Sequence, residues 1–263
     1  MVQKSLILAV ETSAPIGSVA IAAGRQLLAE ATFSGPMRHS SEIFPAIRGL
    51  LDRFGRKPKD IEHIYISVGP GSFTGLRIAV SIAKIMHLAS AVKIVAVDTL
   101  DVIAANVTNL ILEDTVQNSS HEQRAVSPKK IAVILDAKRR LFYIAVYQRT
   151  SDGRQATSHG IWKKILPDSL MTASQFLDRF SGKAEPVWLL GEGLVYYADK
   201  FKPVPSGVEG AKGIRILDKR CWTPQAAKVH LLGYEMSLKG QFADPVTLQP
   251  AYLRCPDVKI KPR

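Results

Sequence analysis

Ile7-Leu8-Ala9-Val10-Glu11, an apolar run closed by a carboxylate, returns in the second half of the chain as Ala132-Val133-Ile134-Leu135-Asp136. Continued without a gap, Val19-Ala20-Ile21 falls on Ile144-Ala145-Val146. Aliphatic and β-branched runs of this length, followed by turn residues, read as β-hairpins. Each half is therefore expected to open with a hairpin that carries a carboxylate at the end of its first strand. Working outward, the first half reads β-β-β-α-β-α-β-α. Its strands fall at Leu6–Glu11, Gly17–Ala22, Leu27–Phe33, Ile64–Val68 and Ile94–Val97, and its helices at about Ser40–Phe54, at Ser72–Ser90 and from Thr99. The second half repeats this more loosely. Strands are expected at Ile131–Asp136, Leu141–Tyr147, about Thr157–Trp162, Val187–Leu190 and Ile214–Leu217. Helices are expected at Pro167–Phe180, near Val195–Phe201 and from Pro224 to Leu238. The expected organisation is α/β: a first subdomain over 1–108, a polar linker over 109–128 and a second subdomain over 129–263.

Between the fourth strand and the second long helix lies Ser67-Val68-Gly69-Pro70-Gly71-Ser72-Phe73-Thr74-Gly75-Leu76-Arg77. Gly69 and Gly71 permit a tight turn around Pro70, and Ser72 is a suitable N-cap. A strand–loop–helix junction of this kind either holds an anion on the free amides of the helix or is a plain tight turn. It is not a P-loop, because Leu76-Arg77 stands where Lys-Ser/Thr is required. In the following helix Gly75, Ala79 and Ala83 form one small stripe, while Leu76, Ile78, Val80, Ile82, Ile85, Met86 and Leu88 occupy the other faces. A helix apolar nearly all round is either buried on all sides or shared between its own sheet and a partner. The small stripe is expected to meet the partner, with Phe73, Gly75, Leu76, Ala79, Ile82, Ala83 and Met86 at the interface. A charge at Ala79 is then expected to break pairing and leave a folded monomer.

A hydrophobic fraction of 46% with 22% charged residues is that of a globular protein, and no run reaches transmembrane length. Met1-Val2-Gln3-Lys4 leads straight into a strand, so a cytoplasmic protein with no membrane partner is expected. Cys221 and Cys255 form no C-x-x-C pair and read as free thiols. The formal charge of +12 is carried largely by the second half, at Lys129-Lys130, Lys138-Arg139-Arg140, Lys163-Lys164, Lys219-Arg220 and from Arg254 onward. Such one-sided charge points to a nucleic acid or phosphate partner, with Lys138, Arg139 and Arg140 as the candidate residues facing it. The competing reading is a merely soluble basic surface.

Two hairpin-bearing halves facing each other resemble the actin-like ATPase superfamily, which includes sugar kinases and chaperone ATPases. That resemblance implies phosphate-facing turns and metal-organising carboxylates. Glu11, Thr12, Ser13, Asp136, Gly69, Gly71 and Ser72 are the candidate nucleotide-facing residues. The segments Ile7 to Ser13, Arg38-His39-Ser40-Ser41-Glu42, Gly69 to Ile78, Leu135-Asp136-Ala137-Lys138 with Tyr143, Gly191-Glu192-Gly193 and Ala251-Tyr252-Leu253-Arg254 together resemble the TsaB (YeaZ) family. The resemblance implies a non-catalytic subunit of the complex that transfers threonylcarbamoyl to N6 of adenosine 37 in tRNAs reading codons that begin with A. It also implies a heterodimer with a TsaD-like catalytic paralogue, a TsaE-like ATPase as a further partner, and tRNA contact through the complex. No cofactor of its own is expected, with ATP or ADP admitted at a joint site in the complex. The paralogue's metal-binding pair of histidines four residues apart is absent here, since Ile43 follows His39 at that spacing, and no metal site is expected. The family usually carries Asp where this chain has Glu11, which weakens the expectation of nucleotide binding. The alternative is an autonomous small-molecule kinase or ATPase of the same fold.

Overall fold

A computed structural model describes residues 5–107, 128–150, 162–183, 185–201 and 213–253. The first sheet is built from β1 (Leu6–Glu11), β2 (Ser18–Ala23), β3 (Gln26–Thr32), β4 (Ile61–Gly69) and β5 (Lys93–Asp98), with α1 (His39–Arg53) and α2 (Phe73–Ser90) in the connections. The second contains β6 (Lys130–Asp136), β7 (Leu141–Arg149), β8 (Trp162–Thr172), β9 (Val187–Leu190) and β10 (Ile214–Ile216), with α4 (Ala173–Phe180) and α5 (Leu194–Phe201). A helix over 99–107 (α3) follows β5, and α6 (Ala226–Leu238) closes the ordered pattern.

The two sheets share one plan. The first runs β3-β2-β1-β4-β5 and the second β8-β7-β6-β9-β10. In both, three antiparallel strands are extended by two parallel ones. The copies are not in gapless register, however. Glu11 pairs with Ser18, whereas Asp136 pairs with Phe142, so the second turn is one residue shorter. Val19 therefore corresponds to Tyr143 rather than to Ile144.

The expected helix start at Pro167 is corrected. Pro167 lies inside β8, which forms the edge of its sheet, and the β7–β8 register shifts between Ile144 and Val146 on one side and Leu166 and Ser169 on the other. Proline lacks the amide a central strand needs but is tolerated at an edge or bulge. The helix begins only at Ala173, where Thr172 caps Gln175 and Gln175 answers with a reciprocal bond. The expected strand residues before Trp162 and most of the 109–128 linker lie outside the described residues.

Three packed clusters hold the fold. One lies between the first sheet and α1 and α2, through Leu8, Val10, Ile43, Leu51, Ile64, Ala79 and Ala83. The opposite face of that sheet packs on α6, which places Ala226, Val229 and Leu232 against Ile7, Ala9 and Tyr65. Gly233 allows this approach, since a Cβ there would stand 2.6 Å from the Tyr65 ring. The third cluster surrounds the second sheet and takes in Leu100, Ile103, Ala104 and Val107 of α3. Val102 and Ala105 of the same helix belong to the α6 cluster. Helix α3 thus serves both halves.

A largely buried ion cluster, with Asp101 at its inner end, crosses between the sheets at the same place. Lys164 Nζ on β8 lies 2.9 Å from Asp98, 2.8 Å from Asp101 and 2.7 Å from Asp168, and the Tyr147 hydroxyl donates to Asp101 at 2.6 Å. Burial, together with the bond to Asp168, holds the Asp98 carboxyl well above the usual carboxylate range. Burial works against the Lys164 charge, but the three carboxylates outweigh it and raise its pKa. The expected basic surface at Lys163-Lys164 is corrected accordingly, because Lys164 turns inward and only Lys163 is exposed. Removing one member of such a cluster leaves uncompensated buried charge. Lys164→Met is expected to cost roughly 3 kcal/mol or more of unfolding free energy in urea, and Lys163→Met less than about 0.5. Equal small losses in both would mean that the cluster contributes nothing.

Candidate functional site

The glycine loop between β4 and α2 closes on the first hairpin turn. The Ser72 amide donates to the Ser13 carbonyl at 2.7 Å, and the Thr12 hydroxyl donates to the Gly75 carbonyl at 2.7 Å. Space explains the glycines. A Cβ at Gly71 would stand 2.5 Å from Ser13 O, and one at Gly75 would stand 1.8 Å from Thr12 O. Ser72 caps the helix as expected, with its hydroxyl accepting from the Gly75 amide at 3.3 Å. At Gly69 the chain's tail joins in, where the Ala251 amide donates to the Val68 carbonyl at 2.7 Å. The Ser72 amide and the Thr12 hydroxyl, two donors an anion could use at this junction, are thus engaged within the chain. Turn and loop form an intramolecular clasp.

Glu11 sits under this clasp and is fully buried. One carboxylate oxygen accepts from the Ser13 amide at 2.6 Å and from the Ser13 hydroxyl, and the other accepts from the Ser67 hydroxyl. Burial raises its pKa, the Ser13 and Ser67 bonds oppose that, and the charge of Glu192 adds to the rise. Glu192 belongs to the Gly191–Gly193 turn, is itself raised by burial and accepts from the Thr223 hydroxyl at 3.0 Å. Asp136 is engaged differently. It accepts from the Lys138 amide at 2.9 Å, from Lys138 Nζ at 2.6 Å and from the Tyr197 hydroxyl at 3.2 Å. Burial pushes its pKa up, but the Lys138 contacts prevail and hold it low. Glu11 and Asp136 each close their own hairpin, and the acid whose charge Glu11 feels is Glu192. Spacing gave no sign of that pairing, because it depends on how the second sheet's βα turn is placed. Among the described residues no group of three His, Cys, Asp or Glu side chains could hold a metal ion.

The orientation of α2 divides the expected interface, leaving Phe73 exposed on the outward face and Ile82 among the residues that line a groove there. Gly75, Leu76, Ala79, Ile82 and Ala83 are buried against the helix's own sheet and hairpin turn, and Met86 is half-buried. The small stripe marks where the helix meets its own chain. The outward face carries Phe73, Arg77, Ile78, Ser81, Ile85 and Leu88, with Ile85 62% and Leu88 84% exposed. Phe73, Ile78, Ile82 and Ile85, together with Ile43 and the exposed Phe44 of α1, line an apolar groove of about 390 Å³. At one end the Arg77 guanidinium carbon lies 3.7 Å from the centre of the Phe73 ring, and its Nε donates to the Tyr252 hydroxyl at 3.2 Å. The tail motif therefore braces the rim of the groove.

Two five-stranded sheets of one plan, each opening with a hairpin and joined through a shared helix, define the actin-like ATPase fold. A model of the family described as TsaD, tRNA N6-adenosine threonylcarbamoyltransferase, matches residues 27–163, just over half of the chain. The tRNA threonylcarbamoyladenosine biosynthesis protein TsaB of Bacillus subtilis is 28% identical over 97% of this chain and 96% of its own length. The TsaB of Escherichia coli is 23% identical over 83% and 82%. Among solved structures, YeaZ from Pseudomonas aeruginosa superposes with a TM-score of 0.70 at 21% identity, covering 95% of this chain and all of that one. The chain belongs to this threonylcarbamoyltransferase family, on its TsaB (YeaZ) side.

The clasp yields two expectations. Gly75→Ala forces a methyl into the Thr12 carbonyl and is expected to cost about 2 kcal/mol or more in chemical unfolding. Glu11→Ala orphans the Ser13 and Ser67 donors and is expected to cost about 2 kcal/mol, whereas Glu11→Gln, which still offers an acceptor, loses less than half of that. If both Glu11 variants unfold at the wild-type urea concentration, the carboxyl does not hold the turn.

Proposed function

We propose that this chain is a non-catalytic dimerisation subunit of the machinery that places threonylcarbamoyl on N6 of adenosine 37 in tRNAs reading codons that begin with A. It pairs with a TsaD-like catalytic paralogue, and a TsaE-like ATPase joins the pair. The observation that carries this reading is the outward apolar face of α1 and α2, where Phe44, Phe73, Ile78 and Ile85 line one groove and Leu88, three residues after Ile85, is exposed. Contiguous exposed apolar surface of this kind is typical of protein interfaces. The internal engagement of Glu11 and Asp136 supports the absence of chemistry, since neither carboxylate is left to organise a magnesium–phosphate group. In this reading ATP or ADP enters only at a joint site with the paralogue, tRNA is met by the assembled complex, and the complex works in the cytoplasm. Among the described residues no helix is long and apolar enough to cross a membrane.

The decisive variants lie on the outward face and not at Ala79. Ile85→Glu combined with Leu88→Glu is expected to abolish copurification with the paralogue and to reduce tRNA modification to the level seen without this chain. Both positions are exposed, so unfolding should shift by no more than about 0.5 kcal/mol. Ala79→Arg, by contrast, is expected to unfold the monomer. Wild-type pairing by the folded Ile85→Glu/Leu88→Glu protein would place the interface elsewhere. An ATPase rate of the isolated chain that disappears in Glu11→Gln would establish the alternative, an autonomous kinase or ATPase.

A further inference from the structure

The second hairpin turns through Lys138, Arg139 and Arg140 with φ of 63°, 53° and 63°. Three consecutive side-chain-bearing residues in the left-handed region are strained, and such strain persists only where the surroundings enforce it. Here Asp136 holds the Lys138 amide and ammonium, and the Leu141 amide donates to the Lys138 carbonyl at 3.0 Å. All three cationic side chains are exposed, and they line an open groove of about 1000 Å³ with Lys200, Tyr196 and the start of α4 at Thr172 and Ser174. Tyr197 is committed to the fold, donating to Asp136 and to the Leu141 carbonyl. Tyr196 is 64% exposed, with Lys138 Nζ 5.2 Å from its ring centre.

We propose that this groove binds an unpaired stretch of RNA, with phosphates against Arg139, Arg140 and Lys200 and a base stacked on Tyr196. Cations that follow a backbone and an accessible aromatic face are the two elements of single-strand binding. A stacking ring needs a base released from its helix. A nucleoside triphosphate fits less well. The groove stands at the upper end of small-ligand sites, and Asp136, the acid that lines it, is neutralised by Lys138 and does not offer itself to magnesium. That the strand is RNA rests on the proposed function, since charge and stacking serve any single-stranded nucleic acid.

The test is fluorescence anisotropy of the full chain with a labelled polyuridine oligonucleotide and with a tRNA transcript, across a salt series. Arg139→Gln with Arg140→Gln is expected to weaken binding about tenfold and to lower the slope of log K against log salt by roughly 1.4, at about 0.7 per phosphate released. Tyr196→Ala is expected to weaken binding roughly tenfold with the salt slope unchanged. No binding by the wild-type chain, or variants with unaltered affinity and slope, overturns the proposal. Displacement of the oligonucleotide by magnesium-free ATP at low concentration, with the same dependence on Tyr196, overturns it in favour of a free nucleotide. Pairing with the paralogue is measured in the same preparations. RNA binding lost with pairing intact supports the groove. Pairing that survives Ile85→Glu/Leu88→Glu while the groove variants still lose RNA refutes the interface and leaves the groove standing.

Discussion

The contact between the Thr12–Ser13 turn and the Gly71–Gly75 loop sets the geometry of the first half. Because Gly75 meets the Thr12 carbonyl with no room for a methyl group, the face of α2 that carries Gly75 lies against the turn. That orientation sends Ala79 and Ala83 inward and leaves Ile85 and Leu88 outside. The clasp also covers Glu11, so a carboxyl that would cost several kcal/mol if left unpaired is supplied with hydrogen bonds from Ser13 and Ser67. A closed turn, a buried acid and an outward apolar face therefore follow from a single close approach.

The two halves share a plan and spend their hairpin turns differently. In the first, Thr12, Ser13 and Ala14 are small or hydroxylic and buried, and Thr12 is tied to the helix that follows the sheet's fourth strand. In the second, a turn one residue shorter is cationic and exposed, and it is held in a strained shape by its own carboxylate. Duplication of a strand pattern thus preserves the sheet, which depends on alternation and burial, and leaves the turn chemistry free to diverge.

Much of this was legible in the sequence. Alternating apolar runs gave the β-hairpins and the order of the elements, because strand and helix periods are set by backbone geometry. Pro167 misled because its tolerance at an edge strand depends on sheet position, which pairing decides. The Gly75/Ala79/Ala83 stripe correctly indicated close packing but not its partner, since a small face fits a hairpin turn in the same chain as well as it fits another subunit. Lys164 was read as surface charge because Asp98 and Asp101, on β5 and α3, reach it only on folding, and Asp168, four residues on, was assigned to an expected helix. Tyr196 and Lys200 carried no signal, as they join the cationic turn only through the packing of α5.

The joints between the halves bear on what the fold can do. A nucleotide-closing cleft requires two bodies that part and approach at modest cost. Here α3 contributes Ile103 to one core and Val102 to the other, α6 returns from the second half to cover the first sheet, and Lys164 holds Asp98 and Asp101 across the gap. Separating the sheets would expose apolar surface on both sides of α3 and strip a lysine of its counter-charges, each a matter of several kcal/mol. Such a molecule is suited to present fixed surfaces: an apolar face on α1 and α2, and a cationic groove on the second sheet. Fixed surfaces lose little conformational entropy on association.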